Sequence, residues 1–351
     1  MKNLFCYLSE KPVQSFHAGN KAREDIEEIL KIRGYKVWIH VSQHEFYSLW
    51  RKISYVLSLS TIKQALFFIF AKGKDVIYQY PSCFNVIMNF FIRNSIPKNR
   101  SYLLIHDINS LRKENFVGLS EEIKVLNSAK VIISHNEQMT DILRQNGLKT
   151  KVVNLEIFDY LLSNKAPVNN EGLTRSVIFA GNIEKSLFLK NEKLDDLGLT
   201  FYLFGPNYEA SCFLNTMSIN YIGCYPPEEL AYKLKGSFGL IWDGDSLDSC
   251  SGPNGKYMMY NNPHKLSLYI AAQKPVIVWK YSAAANIVKK YDIGLIVNNL
   301  YEIETQISQL TDDRYKELKE NVSLLQRKIT TGFFSNRAFA KCEEILCKNN
   351  L

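Results

Sequence analysis

The chain has 351 residues, 46% of them hydrophobic and 22% charged, which is an ordinary composition for a globular protein with a sizeable core. It excludes a disordered chain, a collagen and a small disulfide scaffold, and at about 150 residues per domain the length predicts two domains. The formal net charge of +8 is too small for a nucleic-acid-binding chain, and nearly all of the surplus lies within residues 1–160. Seven cysteines without a Cys-x-x-Cys pair predict no disulfide framework and favour a reducing, cytoplasmic location.

The longest apolar stretch lies between Ile53 and Ala71, where Lys63 and Gln64 interrupt it. Its uninterrupted part is far shorter than the roughly 20 residues that span a bilayer. A buried helix whose lysines reach solvent is the favoured interpretation, and peripheral contact with an anionic membrane surface stays open beside it.

Short apolar runs alternate with helical patterns along the chain, which is typical of βαβ units and parallel sheets. In the first half the pattern predicts helices over 21–33, closed by Gly34, and over 137–145, closed by Gly147. The strands predicted there are 2–8, 35–41, 75–80, 101–106, 130–134 and 151–155.

A polar run with Pro167 and Gly172 interrupts the alternation between residues 160 and 175 and indicates a linker. Beyond it the pattern predicts strands over 176–180, 200–204, 237–242, 275–279 and 294–297, with helices over 227–234, 263–272 and 283–291. A charged helical tail begins at 301 and breaks at 330–332 before a last helix over 335–347. The sequence therefore predicts two α/β domains, 1–160 and 175–330, followed by a C-terminal segment, 331–351.

Ligands of open parallel sheets bind beyond the carboxyl ends of the strands, so the candidate sites lie there. Gly181 and Asn182 follow a predicted strand and precede a predicted helix, whose amides would suit a diphosphate, and Lys185 adds a positive charge. Lys265 opens a later helix and could bind phosphate as a point charge. An ordinary β–α turn and a solvated lysine are the alternatives. Neither Gly-x-Gly-x-x-Gly nor a P-loop occurs, which disfavours dinucleotide oxidoreductases and P-loop enzymes.

The segment Asp243-Gly244-Asp245 ends another predicted strand and precedes a long polar loop that extends to Asn262. Two carboxylates at this spacing could chelate a divalent metal, as in one class of sugar transferases, but an ordinary turn is favoured. We therefore predict no metal. A loop of this length without structure of its own usually serves a function.

In the first half, His106 and Asp107 end a predicted strand and offer a titratable pair that could accept a hydroxyl proton. A histidine held by backbone hydrogen bonds is the alternative. The loop containing His17, Gly19 and Asn20 faces the same rim and could bind an acceptor.

These strand ends together resemble a known family. The combination is similar to bacterial GT-B glycosyltransferases of the β-1,6-galactofuranosyltransferase type and to the related streptococcal glucosyltransferase that extends O-glycans on serine-rich adhesins. Its most specific part is the Asn-Pro-His-Lys-Leu stretch with the apolar helix behind it. The segments that carry the resemblance are 105–107, 179–182, 238–242, 262–272, 275–278 and 332–334.

The resemblance implies a UDP-hexose donor bound by the C-terminal domain, an acceptor glycan on the N-terminal side and no further cofactor. The basic site after the Gly-Asn turn falls on Lys185, the aromatic beside Pro-Pro-Glu-Glu on Tyr225 and the phosphate-facing lysine on Lys265. Asp243, Asn262 and His264 complete the implied donor site. The loop 246–260 is longer than in the glucosyltransferases, so the donor sugar stays open between galactofuranose and glucose.

The sequence thus predicts a GT-B fold, two facing Rossmann-like domains with the last helix crossing back. The predicted enzyme moves a hexose from a UDP-sugar to a hydroxyl of a cell-surface glycan precursor, lipid-linked or protein-linked. A non-catalytic nucleotide-sugar-binding partner of a glycan-assembly complex is the alternative function. Assembly as a homo-oligomer stays open.

Overall fold

The computed structural model describes residues 6–11, 18–42, 74–82, 90, 93–113, 116–165, 167–168, 171–213 and 216–348. These residues form two six-stranded sheets, each of them entirely parallel. His17 and the apolar stretch 53–71 lie outside the described residues. No helix in the described ranges combines the length and the apolarity needed to cross a membrane.

The first sheet has the strand order β2-β1-β3-β4-β5-β6. The strands β3, β4 and β5 are buried on both faces, as expected where helices cover a parallel sheet. The strands are β1 (Cys6–Lys11), β2 (Lys36–Ser42), β3 (Asp75–Tyr80), β4 (Arg100–Ile105), β5 (Val131–Ser134) and β6 (Lys151–Asn154).

One helix beside this sheet, Glu137–Gln145, has recognisable capping residues at both ends. The side chain of Asn136 accepts a hydrogen bond from the amide of Met139 at 2.8 Å and so begins one helix. Gly147, with φ of +99°, follows the end of that helix. The helices are α1 (Ala18–Ile32), α2 (Asn109–Arg112), α3 (Phe116–Asn127) and α4 (Glu137–Gln145), with a 3₁₀-helix at Ile96–Lys98.

The second sheet has the order β12-β11-β10-β7-β8-β9. Numbered within this half, that order is the doubly wound arrangement 3-2-1-4-5-6 of nucleotide-binding sheets. The strands are β7 (Ser176–Ala180), β8 (Thr200–Phe204), β9 (Ile219–Gly223), β10 (Phe238–Ile241), β11 (Val276–Trp279) and β12 (Gly294–Val297).

The second half contributes most of the described helices. They are α5 (Pro227–Lys233), α6 (Gly252–Tyr257), α7 (His264–Ala271), α8 (Ala284–Tyr291), α9 (Glu302–Ser308), α10 (Asp312–Ile329) and α11 (Phe333–Lys348). Three further 3₁₀-helices are Leu187–Lys190, Asp195–Leu197 and Ala210–Phe213.

The last helix, α11, lies on the first sheet, not the second. It packs against β5, β6 and α1. Glu343 of α11 accepts hydrogen bonds from Arg33 at 2.6 Å and from Tyr35 at 2.5 Å. At its start, the amide of Phe334 donates to Asp159 at 3.2 Å. These contacts tie the C-terminus of the chain to its N-terminal half.

Several elements differ from the sequence prediction, and two of them follow β7 and β10. The helix predicted directly after Gly181 is wrong: a turn and the short 3₁₀-helix Leu187–Lys190 stand there. The amide of Phe188 donates to the carbonyl of Gly244 at 3.2 Å. This amide is therefore bonded to the loop that follows β10 and not to a carbonyl of a helix beginning at Gly181. The polar loop 246–262, expected to lack structure, contains α6.

Candidate functional site

The crevice of the second sheet lies between β7 and β10. These strands are neighbours, but the chain continues from β7 to β8 on one side and from β10 to β11 on the other. Ligands bind at such a point in open parallel sheets because the diverging loops leave a crevice. Gly181 directly follows β7, and Asp243 lies just beyond β10.

A cleft of about 290 Å³ opens at this point and is lined by both halves of the chain. The first half contributes Lys21, Arg112 and Tyr160. Seven of the eight residues predicted to bind the nucleotide sugar line it. They are Gly181, Asn182, Lys185, Tyr225, Asp243, His264 and Lys265.

Lys265 lies across Gly181 at the centre of the cleft. A Cβ atom at Gly181 would stand 3.0 Å from Cε of Lys265 and 3.4 Å from its Nζ, so the space for the lysine depends on the glycine. Nζ lies 4.2 Å from the ring centroid of Phe179, within the range of a cation–π contact. Burial lowers the pKa of Lys265, and the carboxylate of Asp243 opposes this shift. An anionic ligand would stabilise the charged form of Lys265 in these surroundings.

The wall beside Lys265 is bare backbone. Gly205 has a φ of +137°, and a Cβ atom there would lie 2.0 Å from the carbonyl oxygen of Gly181. The amide of Gly181 donates to the carbonyl of Phe204 at 2.9 Å, which holds the ends of β7 and β8 together. Gly205 therefore allows the backbone segments that follow β7 and β8 to approach each other closely. Gly205 was not among the predicted site residues.

Tyr225 lies at the other end of the cleft, beside the end of β9. Its ring packs on Gly223, where a Cβ atom would be 3.3 Å from the ring. Lys233 of α5 holds its Nζ 5.9 Å from the ring centroid. The ring is therefore fixed in place while it lines the cleft.

His264, in the second half of the chain, contacts the first half. Its ring stacks on Tyr160 with 5.2 Å between centroids, and its Nε2 is buried without a hydrogen-bond partner in the described part of the chain. Burial, reinforced by the charge of Lys21, lowers the pKa of His264 to about 3. The imidazole is therefore neutral near pH 7 and can bond to a ligand group.

Lys21 in α1 provides a buried cation on the first-half wall. It forms an ion pair with Asp25 and donates to the carbonyl of Leu161 at 2.8 Å. Burial raises the pKa of Asp25 to about 7, against the opposing charge of Lys21. Of the predicted acceptor residues, Gly19 and Asn20 lie in the first turn of α1, and Asn20 is not among the described residues that line the cleft.

His106 and Asp107 follow β4 and lie in different surroundings. The ring of His106 stacks on Phe158 with 5.5 Å between centroids, and its Nε2 lies 2.6 Å from Oε1 of Gln79. Burial, together with the charge of Arg23, holds the pKa of His106 well below its usual value. It is therefore neutral near pH 7, and its side chain is partly buried.

Asp107 is about one-third exposed and lies 3.5 Å from Arg112, which lines the cleft. Burial raises its pKa, and Arg112 opposes the shift. Neither side chain is among the residues that line the cleft, and Asp107 is linked to the cleft through Arg112. Their assignment as proton acceptors stays a prediction.

Asn262 is the predicted donor-site residue that the cleft does not include. Its amide nitrogen donates to the carbonyl of Glu156 at 2.6 Å, and its Oδ1 accepts from Asn136 at 2.8 Å. Its backbone amide also donates to Nδ1 of His135 at 3.1 Å. The side chain is thus engaged with the first half, and its predicted contact with the nucleotide sugar is untested.

The carboxylates of Asp243 and Asp245 have separate partners. Asp243 accepts a hydrogen bond from the amide of Gly244 at 3.0 Å, and Asp245 accepts one from the hydroxyl of Ser251. The described residues contain no group of three or more His, Cys, Asp or Glu side chains arranged to hold a metal ion. These separate hydrogen bonds fit the predicted turn better than two carboxylates that share one metal ion.

Solved structures share this arrangement of two α/β halves around a cleft. Anabaena HepE, solved in complex with UDP, superposes with a TM-score of 0.59 at 13% identity, covering 98% of this chain and 100% of that one. The α,α-trehalose 6-phosphate synthase of Burkholderia multivorans gives a TM-score of 0.64 at 9% identity, covering 100% of this chain and 98% of that one. The fold is that of the GT-B glycosyltransferases, as the sequence predicted.

Family models match both halves. The N-terminal domain of glucosyltransferase 3-like proteins matches residues 6–157, and the C-terminal domain of the same proteins matches residues 177–342. The chain is 37% identical to the β-1,6-galactofuranosyltransferase WbbI of Escherichia coli over 288 residues, 79% of this chain and 81% of the relative. It is 29% identical to glucosyltransferase 3 of Streptococcus parasanguinis over 270 residues, 76% and 77% of the two chains.

The chain therefore belongs to the glucosyltransferase 3-like family. This confirms the resemblance found in the sequence and the prediction of a glycosyltransferase. The relatives named here are transferases, and they do not support the non-catalytic alternative.

Proposed function

We propose that this enzyme transfers a hexose, galactofuranose or glucose, from a UDP-sugar to a hydroxyl of a cell-surface glycan precursor. The observation that carries the proposal is the position of Lys265 against Gly181, in the crevice of the second sheet. The ammonium group of Lys265 offers a cation to a diphosphate bound in this crevice. The 37% identity to a β-1,6-galactofuranosyltransferase favours galactofuranose as the donor sugar.

In the proposed reaction, the acceptor oxygen attacks the anomeric carbon, and the bond from that carbon to the β-phosphate oxygen breaks. UDP leaves with the bonding electrons. Lys265 and Lys185 stabilise its developing charge. A base of the first half takes the acceptor proton.

Asp107 suits the role of base better than His106. Burial raises the pKa of Asp107 towards the range in which a carboxylate accepts a proton effectively, and the group is accessible beside the cleft. His106 has a strongly lowered pKa, and its Nε2 already faces Gln79. We therefore assign the proton transfer to Asp107.

The test of this function is product analysis by mass spectrometry. The purified chain is incubated with a panel of UDP-hexoses and with lipid-linked and simple alkyl glycoside acceptors. We expect one donor to give a hexosylated product and Lys265→Ala to abolish turnover with the melting temperature kept. Full activity of Lys265→Ala would remove this lysine from the site, and UDP-sugar binding without transfer to any acceptor would favour the non-catalytic alternative.

We further propose that the enzyme works in the cytoplasm and meets a lipid-linked acceptor through its basic first half, within residues 1–160. Polybasic surfaces are attracted to anionic lipids. Co-sedimentation with vesicles of phosphatidylcholine, with and without phosphatidylglycerol, measures this. Binding that does not depend on the anionic lipid would contradict the membrane contact and leave the transfer reaction unaffected.

A further inference from the structure

A second cavity, of about 680 Å³, lies between the two halves of the chain. On the first half it is lined by the start of α4 and by residues of β6, and on the second half by α8. The last helix, α11, forms a further side. None of the described residues lines both this cavity and the cleft that holds Lys265. The cavity is therefore a space of its own, built from distant parts of the sequence.

Glu156 holds the walls of the cavity together. Its carboxylate accepts hydrogen bonds from Lys290 of α8 at 2.5 Å and from Arg337 of α11 at 2.7 Å. Arg337 also donates to the carbonyl of Leu155 at 3.3 Å. One residue of the first half thus binds a helix of the second half and the last helix, so the cavity is formed before any ligand enters.

Several polar side chains that line the cavity are available to a ligand. Within the described part of the chain, five of them make neither a hydrogen bond nor an ion pair, and they lie on three different helices. These side chains are Glu137 and Gln138 of α4, Asn286 of α8, and Lys341 and Glu344 of α11. Their convergence on one space is what a polar ligand requires.

The charges and the chemistry of the lining indicate the class of this ligand. The charged side chains balance, with Lys290, Arg337 and Lys341 against Glu137, Glu156 and Glu344, so the cavity has no surplus charge to attract an anion. Amides both donate and accept hydrogen bonds, carboxylates accept them and an ammonium group donates them. A sugar hydroxyl also donates and accepts, so this mixed lining fits a neutral saccharide better than a phosphate.

The cavity and the proposed base lie at the same edge of the first sheet. Asp107 follows β4, whereas Asn136 and Asn154 lie at the ends of β5 and β6 and line the cavity. Neighbouring strands are about 4.8 Å apart, so the end of β6 lies about 10 Å from the end of β4. At the end of β5, between them, the side chain of Asn136 donates to Oδ1 of Asn262 at 2.8 Å and so joins the two halves.

We propose that this cavity binds sugar residues of the acceptor glycan that lie away from the reacting hydroxyl. The inference rests on the proposed function, because it takes the acceptor to be a glycan. A chain that is held at a second site presents its reacting end to the cleft at a raised effective concentration. An acceptor with a single sugar cannot occupy both places and gains nothing from the cavity.

The experiment compares two double variants, Gln138→Ala/Lys341→Ala in the cavity and Gln145→Ala/Lys348→Ala as the control. Each control residue lies seven positions further along the same helix and lines neither the cavity nor the cleft. The two double variants therefore remove the same side-chain types and the same charge.

The acceptors are the lipid-linked glycan and the alkyl glycoside of the panel described above. For the cavity variant we expect KM for the glycan to rise about tenfold, through the loss of two hydrogen-bonding groups. Its kcat, its KM for the UDP-sugar and its KM for the alkyl glycoside should stay at the wild-type values. The control variant should match wild type with both acceptors. Calorimetric titration with the glycan in the absence of donor should show the same tenfold weakening of Kd, and it needs no turnover.

The ratio of the two KM values separates recognition from folding, because a smaller folded fraction affects both acceptors alike. If the cavity variant and the control variant have the same KM and the same Kd for the glycan, the inference is wrong. An equal rise in KM for the alkyl glycoside would also contradict it, since the change would then act at the cleft. Failure of the proposed function has a different result, because the wild-type chain then gives no product with any acceptor.

Discussion

Gly181→Ala tests whether the position of Lys265 limits donor binding. The added Cβ atom would stand 3.0 Å from Cε of Lys265, 3.4 Å from its Nζ and 3.4 Å from the ring of Phe179. Its nearest contact is the far end of a flexible side chain, and the Gly181 backbone lies outside the left-handed region that disfavours alanine. The lysine can therefore move by a few tenths of an ångström, and the fold should tolerate the change.

The magnitude follows from the bond that the moved ammonium group would lose. A hydrogen bond to a charged group contributes about 1.5–3 kcal/mol. Since about 1.4 kcal/mol corresponds to a factor of ten, we expect kcat/KM for the UDP-sugar to fall about 10- to 100-fold. The melting temperature should stay within about 2 °C of wild type, because no buried backbone contact is disturbed.

Steady-state UDP release at varied UDP-sugar concentration measures this effect, with Gly172→Ala as the control. A Cβ atom added at Gly172 would meet no atom of the described residues within 4 Å beyond its chain neighbours, so this variant should behave as wild type. In a Lys265→Met background, where turnover should be lost, Gly181→Ala should change the Kd for UDP little, because the group that it displaces is gone. Wild-type kcat/KM in Gly181→Ala, or an equal loss of UDP affinity from Gly181→Ala with and without Lys265, would refute the reasoning.

Two further predictions concern pH and metal. Burial raises the pKa of Asp25 from 3.8 to about 7, so the folded chain holds this proton more tightly than the unfolded chain. The free energy of unfolding should fall as the pH rises through this range, and Asp25→Asn should flatten that slope in urea unfolding at several pH values; an unchanged slope would contradict the assignment. Because Asp243 and Asp245 bond to separate partners, excess EDTA should leave turnover unchanged, and a loss of activity restored by Mg²⁺ or Mn²⁺ would overturn this.

Several strands were predictable from the sequence because each is a short, largely apolar run with sharp ends. Residues 75–80, 176–180, 200–204 and 294–297 were predicted with the bounds that the structure has. Strand β9 was missed, since three of its five residues are exposed and its sequence, Ile-Asn-Tyr-Ile-Gly, lacks an apolar run. An edge strand of this kind is specified by its pairing with β8 and not by its own pattern.

Helix α6 could not be predicted from local sequence because its own residues oppose a helix. Gly252, Pro253 and Gly255 lie in its six residues, and glycine and proline are the poorest helix formers. What stabilises it is tertiary: Tyr257 is buried in the first half, and Gly255 packs so closely that a Cβ atom would stand 2.4 Å from the backbone of Cys250. When a segment is helical only because it packs against the other half, the spacing of its apolar residues does not predict the helix.

Packing between the two halves also explains why the sequence predicted most residues that line the cleft but not all of their contacts. Asn262 belongs to the most specific motif of the sequence, yet its amide bonds to Glu156, a residue of the other half. Glu156 itself adopts a φ of +81°, and it accepts hydrogen bonds from Tyr291 and Arg337, both at 2.7 Å. Such a backbone conformation is unusual for glutamate and persists where surrounding contacts enforce it. A polar residue near the cleft can hydrogen-bond either to the ligand or to the opposite half of the chain. The packing of one half on the other decides between these two partners.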